Sequence, residues 1–273
     1  MTADFDFSGR TVFVAGGTSG INLGIAESFA TRGARLVVAS RSQEKVDGAV
    51  EKLKRYGAEA IGFSADVRDY DKVAGVFAAA HETCGDIDVL ISGAAGNFPI
   101  HAENLSANGF KTVIDIDLNG TFNVLRAALP YLRRPGASVI NITAPQSEMV
   151  VSAQAHVCAA KAGIDHLTRV LALEWGKYGI RVNAISPGPI QGTEGMERLG
   201  PKDNDSREAF LQSIPLRRMG LPGDIGNAAL FLSTSLASYI TGAVIPVDGG
   251  WLLNGGAPFS ATLDRLLAET SGT

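Results

Sequence analysis

Three stretches of this chain carry side chains whose types and spacing suit chemistry on a phosphorylated ligand. The first is TVFVAGGTSGINLG, residues 11–24. It reads as an apolar strand, a glycine turn and the start of a helix. Gly16 permits the sharp turn, and Gly20 lets the backbone approach a diphosphate at the helix N-terminus, where unpaired N–H groups favour an anion. The spacing is G-x-x-x-G, and Asn22 stands where a third glycine would be expected; asparagine tolerates unusual backbone angles better than most residues. The second is the pair Ser40 and Arg41, which closes the next strand. An acid about 20 residues beyond the glycine turn would take the ribose 2′-OH of NAD, whereas an arginine there suits the 2′-phosphate of NADP. NADP is therefore favoured, with a solvated Arg41 opening a helix as the alternative. The third is AQAHVCAAKAG, residues 153–163, where Lys161 sits among small residues. Val157, four residues before it, has no proton to give.

The elements that must position these residues alternate in type almost to the end of the chain. Strands are expected at 11–16, 35–40, 58–66, 88–94, 138–143, 181–186 and 243–248, and helices at 21–32, 43–56, 70–84, 109–132, 155–178 and 222–235. Most of the strands are continuous apolar runs rather than alternating ones, as for parallel strands covered on both faces. Strand then helix, repeated, predicts an α/β fold: a doubly wound parallel sheet of Rossmann type, seven strands flanked by helices, in a single domain spanning 1–273. Asp66 and Val67 end the third strand and line the adenine, or else Asp66 caps the helix that follows. Residues 188–215 interrupt the alternation with glycine, proline and charge after a strand's C-terminal end. A long loop in that position reads as a substrate lid, with a passive surface loop as the other reading.

Composition narrows the function. With 45% hydrophobic and 19% charged residues, the chain of 273 residues has the make-up of a globular protein with a substantial core. A net charge of -4 argues against a nucleic-acid partner, which would need a concentrated basic surface. No apolar run reaches the ~18 residues of a membrane span, and the opening MTADFDFSGR does not read as a signal peptide. The closing ETSGT is not a Ser-Lys-Leu type address. Cys84 and Cys158 form no metal pattern and read as buried thiols in a reducing compartment. No metal site is expected, and the expected location is cytoplasmic.

The sequence resembles the short-chain dehydrogenase/reductase family over nearly its whole length. The resemblance rests on AGGTSG near the start, Asp66 and Val67, the lysine helix, SPGP at 186–189 and VDGGW at 247–251. That family typically uses an Asn-Ser-Tyr-Lys tetrad. Here Lys161 is kept, while Val157 stands at the tyrosine position, Ala144 at the serine position and Asp117 at the asparagine position. This pattern is similar to one branch, the 2,4-dienoyl-CoA reductases of the peroxisomal type and their bacterial relatives. GAAGNFP (93–99), FKTVIDIDLNGTFNV (110–124), VNAISPGPIQGTEGMERLG (182–200) and ASYITGAVIPVDGGW (237–251) carry it. Ser92 and Gly93 depart from the asparagine that related sequences often keep.

The resemblance implies an oxidoreductase that reduces a 2,4-dienoyl-CoA to a 3-enoyl-CoA, with NADP(H) as cofactor and a homotetramer as its assembly. It puts Asp117 and Lys161 in the catalytic role. It places the cofactor against Gly16, Thr18, Ser19, Gly20 and Ile21 of the turn, Ser40 and Arg41, and Asp66 and Val67. Ala94, Lys161, Pro187, Gly188 and Ile190 complete that set. The acyl-CoA-like substrate would meet Arg68 and Arg198 through its phosphates and Phe98 along its acyl chain, with Ser106 and Asn108 in a matching segment. Each arginine reads equally well as a solvated residue. Asp117 is either the catalyst or only a structural partner of Lys161. His156, a conceivable replacement acid, points about 100° away from its neighbour's direction on a helix. A reductase of carbonyls and an NADP(H)-binding protein without catalysis are the competing readings.

Overall fold

The computed structural model describes residues 3–199 and 203–256. β1 (Thr11–Ala15) is TVFVA with every residue buried. Val12 and Val14 join one apolar cluster, while Phe13 and Ala15 join the other. Successive side chains on a strand point to opposite faces, so a strand covered on both must be apolar throughout. The other strands are β2 (Arg35–Ser40), β3 (Ala60–Ser64), β4 (Val89–Ser92), β5 (Ser138–Ile142), β6 (Arg181–Pro187) and β7 (Val244–Val247). They form one seven-stranded sheet in the order β3-β2-β1-β4-β5-β6-β7, and every pairing is parallel.

The helices are α1 (Gly20–Ala30), α2 (Gln43–Lys54), α3 (Tyr70–Cys84), α4 (Ala107–Ile114), α5 (Gly120–Ala128), α6 (Ala155–Trp175), α7 (Glu194–Leu199), α8 (Asn204–Gln212) and α9 (Pro222–Leu232). Apolar residues of α1, α2 and α9 cover one face of the sheet, and those of α3, α5 and α6 cover the other. Phe29 and Phe77, one on each side, are wholly buried, each removal from water contributing about 1.5–3 kcal/mol. The chain builds outward from β1 to β3, then returns to place β4 on β1's other side. The crevice at the carboxyl ends of β1 and β4 is where ligands bind in such sheets.

Two expectations need correction. The helix expected over 109–132 is four pieces: α4, a turn of π-helix at Asp115–Asn119, α5, and a 3-10 turn at Leu129–Tyr131. α4 starts earlier than expected because Ser106 caps it, its hydroxyl accepting the Gly109 N–H at 3.0 Å. The segment 188–215 is not bare loop, since it holds the short helices α7 and α8. Asp203 starts α8 by accepting the Ser206 N–H at 2.8 Å.

Candidate active site

The π turn decides where Asp117 goes. The Gly120 N–H reaches the carbonyl of Asp115, five residues back, so the turn is wider than α-helix. Such turns insert one residue and re-aim the side chains around it. Thr121 Oγ1 donates to the Asp117 carbonyl at 2.6 Å. The Asp117 side chain is fully buried, and its Oδ1 accepts the Gly96 N–H at 2.7 Å. Its Oδ2 lies 3.1 Å from Lys161 Nζ. That contact is an ion pair without the alignment of a hydrogen bond. Lys161 comes from α6, with only 7% of its side chain exposed. Two opposite charges are thus held together out of water, where each needs the other.

This pair stands in the wall of a cavity of about 580 Å³. Among the described residues lining it, Asp117 and Lys161 are the titratable ones. Ala144 and Val157 line the same cavity, so neither position offers a hydroxyl to protonate a carbonyl oxygen. Met196 of α7, Phe210 of α8 and Trp251 supply apolar surface on another side, the two rings meeting edge to face at 6.4 Å. Gln146 and Gln154 add amides, and one donates to the other at 3.1 Å.

A second cavity of about 250 Å³ adjoins the first and is lined by Gly16, Thr18, Ser19, Ser40, Arg41, Val67 and Ala94. Asn22, Gly93 and Ala95 face both. The glycine turn is built for close approach. Gly16 has φ +76°, and a Cβ on it would lie 2.9 Å from the Ala94 nitrogen, so only glycine fits. Ser19 makes no side-chain cap on α1, which leaves the first N–H groups of that helix for an anion. Arg41 and Lys45 line the far end near the start of α2. A dinucleotide laid across both cavities would place its phosphates at the turn and its reactive ring beside Lys161. These residues fit that group.

Most of the expected cofactor residues come together. Ile21, Lys161, Pro187, Gly188 and Ile190 line the larger cavity and the seven named above the smaller. Gly20 starts α1, with Thr193 beside it. Asp66 differs. Arg68 grips its carboxylate from two nitrogens, at 3.0 and 2.6 Å, on the surface outside both cavities. The hydrogen bonds from Arg68 hold the Asp66 carboxyl down at about 2. Nor does Asp66 cap α3, since Asp69 does that by accepting the Lys72 N–H at 3.2 Å.

The expected substrate residues are more scattered. Phe98 is 37% exposed, with its ring edge-on to His156 at 4.6 Å. Ser106 and Asn108 sit at the start of α4, the hydroxyl of Ser106 being taken by its cap. Arg68 pairs with Asp66, and the Arg198 side chain lies outside the described residues. His156 is wholly buried, and neither ring nitrogen has a hydrogen-bond partner; it does not line the cavity that holds Asp117. Sequence reasoning missed Gly96, Lys45, Phe210 and Trp251. Lys45 alone left a signal, a second cation four residues after Arg41. The amide of Gly96 becomes specific only once the chain is folded.

The family description "Enoyl-(Acyl carrier protein) reductase" matches residues 15–252. A short chain dehydrogenase from Bacillus anthracis superposes with a TM-score of 0.79 at 37% identity, covering 89% of this chain and 96% of that one. The chain is a short-chain dehydrogenase/reductase. Among relatives of this reductase is an Arabidopsis thaliana protein named peroxisomal 2,4-dienoyl-CoA reductase, (3E)-enoyl-CoA-producing. It is 43% identical over 255 residues, 89% of this chain and 85% of that protein. A Bacillus subtilis protein named "probable 2,4-dienoyl-CoA reductase", (2E)-enoyl-CoA-producing, is 38% identical over 90% of this chain and 97% of its own length. The reductase is therefore an oxidoreductase that works with a nicotinamide cofactor. No helix among its described residues is long and apolar enough to cross a membrane.

Proposed function

We propose that this reductase uses NADPH to convert a 2,4-dienoyl-CoA to a 3-enoyl-CoA. One observation carries the reading: a largely apolar cavity offers a buried Asp117–Lys161 pair as its titratable groups, with Val157 and Ala144 where a carbonyl acid would stand. Reducing a ketone requires a proton delivered to oxygen as the hydride arrives, which needs a well-placed acid. A conjugated thioester has no such need. Hydride adds at C5, the electron pair shifts through the chain, and charge gathers on the thioester oxygen. Protonation at C2 then leaves the double bond between C3 and C4.

When bound, NADPH supplies the hydride. Lys161 holds the ribose next to the nicotinamide and keeps a positive charge beside the developing oxyanion. Asp117, fixed by the Gly96 N–H, orients the water that delivers the proton to C2. Arg41, with Lys45 near it, receives the 2′-phosphate. Met196, Phe210 and Trp251 shield the acyl chain, so the segment 188–215 serves as the lid. The resemblance assigns the CoA phosphates to Arg68 and Arg198 and the acyl chain to Phe98. It also assigns the assembly as a homotetramer.

The test mixes the protein, NADPH and 2,4-hexadienoyl-CoA and follows cofactor and diene absorbance together, with NMR of the product. Matched loss of both signals and a 3-enoyl product are expected. A 2-enoyl product would move proton delivery from C2 to C4 and overturn the role given to Asp117. Oxidation of NADPH by simple ketones alone would favour a carbonyl reductase, and tight NADPH binding without turnover would favour a non-catalytic binder.

A further inference from the structure

The glycine turn of this chain contains an asparagine, and the residue it touches explains how that is tolerated. Asn22 is 8% exposed. Its Nδ2 donates to the Gly93 carbonyl at 2.8 Å and to the Gly16 carbonyl at 3.4 Å. Two acceptors on one side fix the amide's orientation, because the opposite flip would set oxygen against oxygen. Oδ1 then faces the Cα of Gly93 and has no hydrogen-bond partner. A Cβ built on Gly93 would meet Asn22 alone among its nearest atoms, with Oδ1 at 2.3 Å and Nδ2 at 2.5 Å. Asn22 can occupy the turn only because residue 93 has no side chain.

We propose that Asn22 is a cofactor-positioning residue and that Asn22 and Gly93 function as one matched pair. Two backbone segments meet at this amide. One is the turn at Gly16, which cradles the diphosphate. The other runs from the end of β4 through Gly93 to Gly96, whose N–H holds Asp117. The backbone joins them at one point, where the Gly93 N–H donates to the Ala15 carbonyl of β1 at 3.2 Å, while the Gly16 N–H turns the other way to the Ala39 carbonyl of β2 at 2.8 Å. Asn22 clamps one to the other at the wall shared by the two cavities. The clamp sets the cofactor turn in fixed register with the segment whose Gly96 N–H holds the Asp117 carboxylate.

The inference rests on the nicotinamide cofactor, and its test reads binding rather than turnover. NADPH and NADH affinities are measured by quenching of protein fluorescence for the parent, Gly93→Ala, Asn22→Gly and the double variant, alongside each Tm. Gly93→Ala should weaken binding by about tenfold or more, since its methyl expels the amide. Asn22→Gly should weaken it about three- to tenfold with a smaller change in Tm. The double variant should bind like Asn22→Gly, because the added methyl then meets nothing. Parent-like affinity in either single variant would overturn the proposal, as would a double variant as weak as Gly93→Ala. Should the parent prefer NADH, the 2′-phosphate reading fails by itself, and the same four proteins compared with NADH still decide the role of Asn22.

Discussion

Replacing Asp117 by asparagine separates the two roles open to it. The substitution keeps the shape and an oxygen for the Gly96 N–H, now 2.7 Å from Oδ1, and removes only the charge facing Lys161. At the 3.1 Å separation of that pair, the direct attraction removed is about 5 kcal/mol for an effective dielectric constant near 20. Desolvation of both ions offsets part of this, and leaving a buried partner uncompensated costs about 3–5 kcal/mol of stability in comparable pairs. The variant should therefore fold with a lowered Tm. If Asp117 orients the water that protonates C2, kcat should also fall by about 10²–10⁴, the usual contribution of a positioned proton-transfer group. The assay is steady-state oxidation of NADPH with saturating 2,4-hexadienoyl-CoA, run well below the variant's Tm, with NADPH affinity measured separately. A variant with lowered Tm but kcat within about threefold of the parent would show that Asp117 serves only to hold Lys161, and the proton-delivery role would be refuted.

Arg41→Ala should weaken NADPH binding about 10- to 150-fold, as loss of a charged hydrogen-bonded contact worth about 1.5–3 kcal/mol predicts. NADH binding should be unchanged in a calorimetric titration, and equal losses for both cofactors would contradict the 2′-phosphate assignment. The Asp66 carboxyl should titrate at about 2 by NMR, below the ordinary 3.8, and move back towards that value in Arg68→Ala. Because the folded value is the lower one, ionised Asp66 stabilises the fold above pH 3.8, and this is lost as pH falls towards 2. The acid-induced loss of stability in that window should be shallower in Arg68→Ala. Phe210→Ala should reduce kcat/KM for long-chain dienoyl thioesters about five- to thirtyfold, matching 1–2 kcal/mol of lost apolar contact. A six-carbon substrate should be less affected; equal losses at both lengths would argue against an acyl-chain wall at Phe210.

The sheet was legible because its rules are local. Continuous apolar runs such as TVFVA and RLVVAS belong to strands covered on both faces, and helical stretches between them leave parallel pairing as the way to join them. The cofactor turn was equally readable, since a glycine's freedom at φ +76° and the missing acid at Ser40 are properties of single residues. So were the identities of Asp117, Lys161, Val157 and Ala144. Beyond the Asp117–Lys161 pair, what could not be read were partners and directions. The helix over 109–132 has no proline or other break in its sequence at Asp115, and its π turn is defined by one hydrogen bond between Gly120 and Asp115. Asp66 could have capped a helix, but Asp69 caps α3 and Asp66 pairs with Arg68. Ser106 was not read as a helix cap, and its hydroxyl accepts the Gly109 N–H at the start of α4. Asn22 could be read as a departure from the glycine pattern, but the contact of its amide with Gly93, seventy-one residues away, could not. A residue's type and its local backbone preference are written in the chain, whereas which of several competing partners it meets depends on distances that exist only after distant segments have packed.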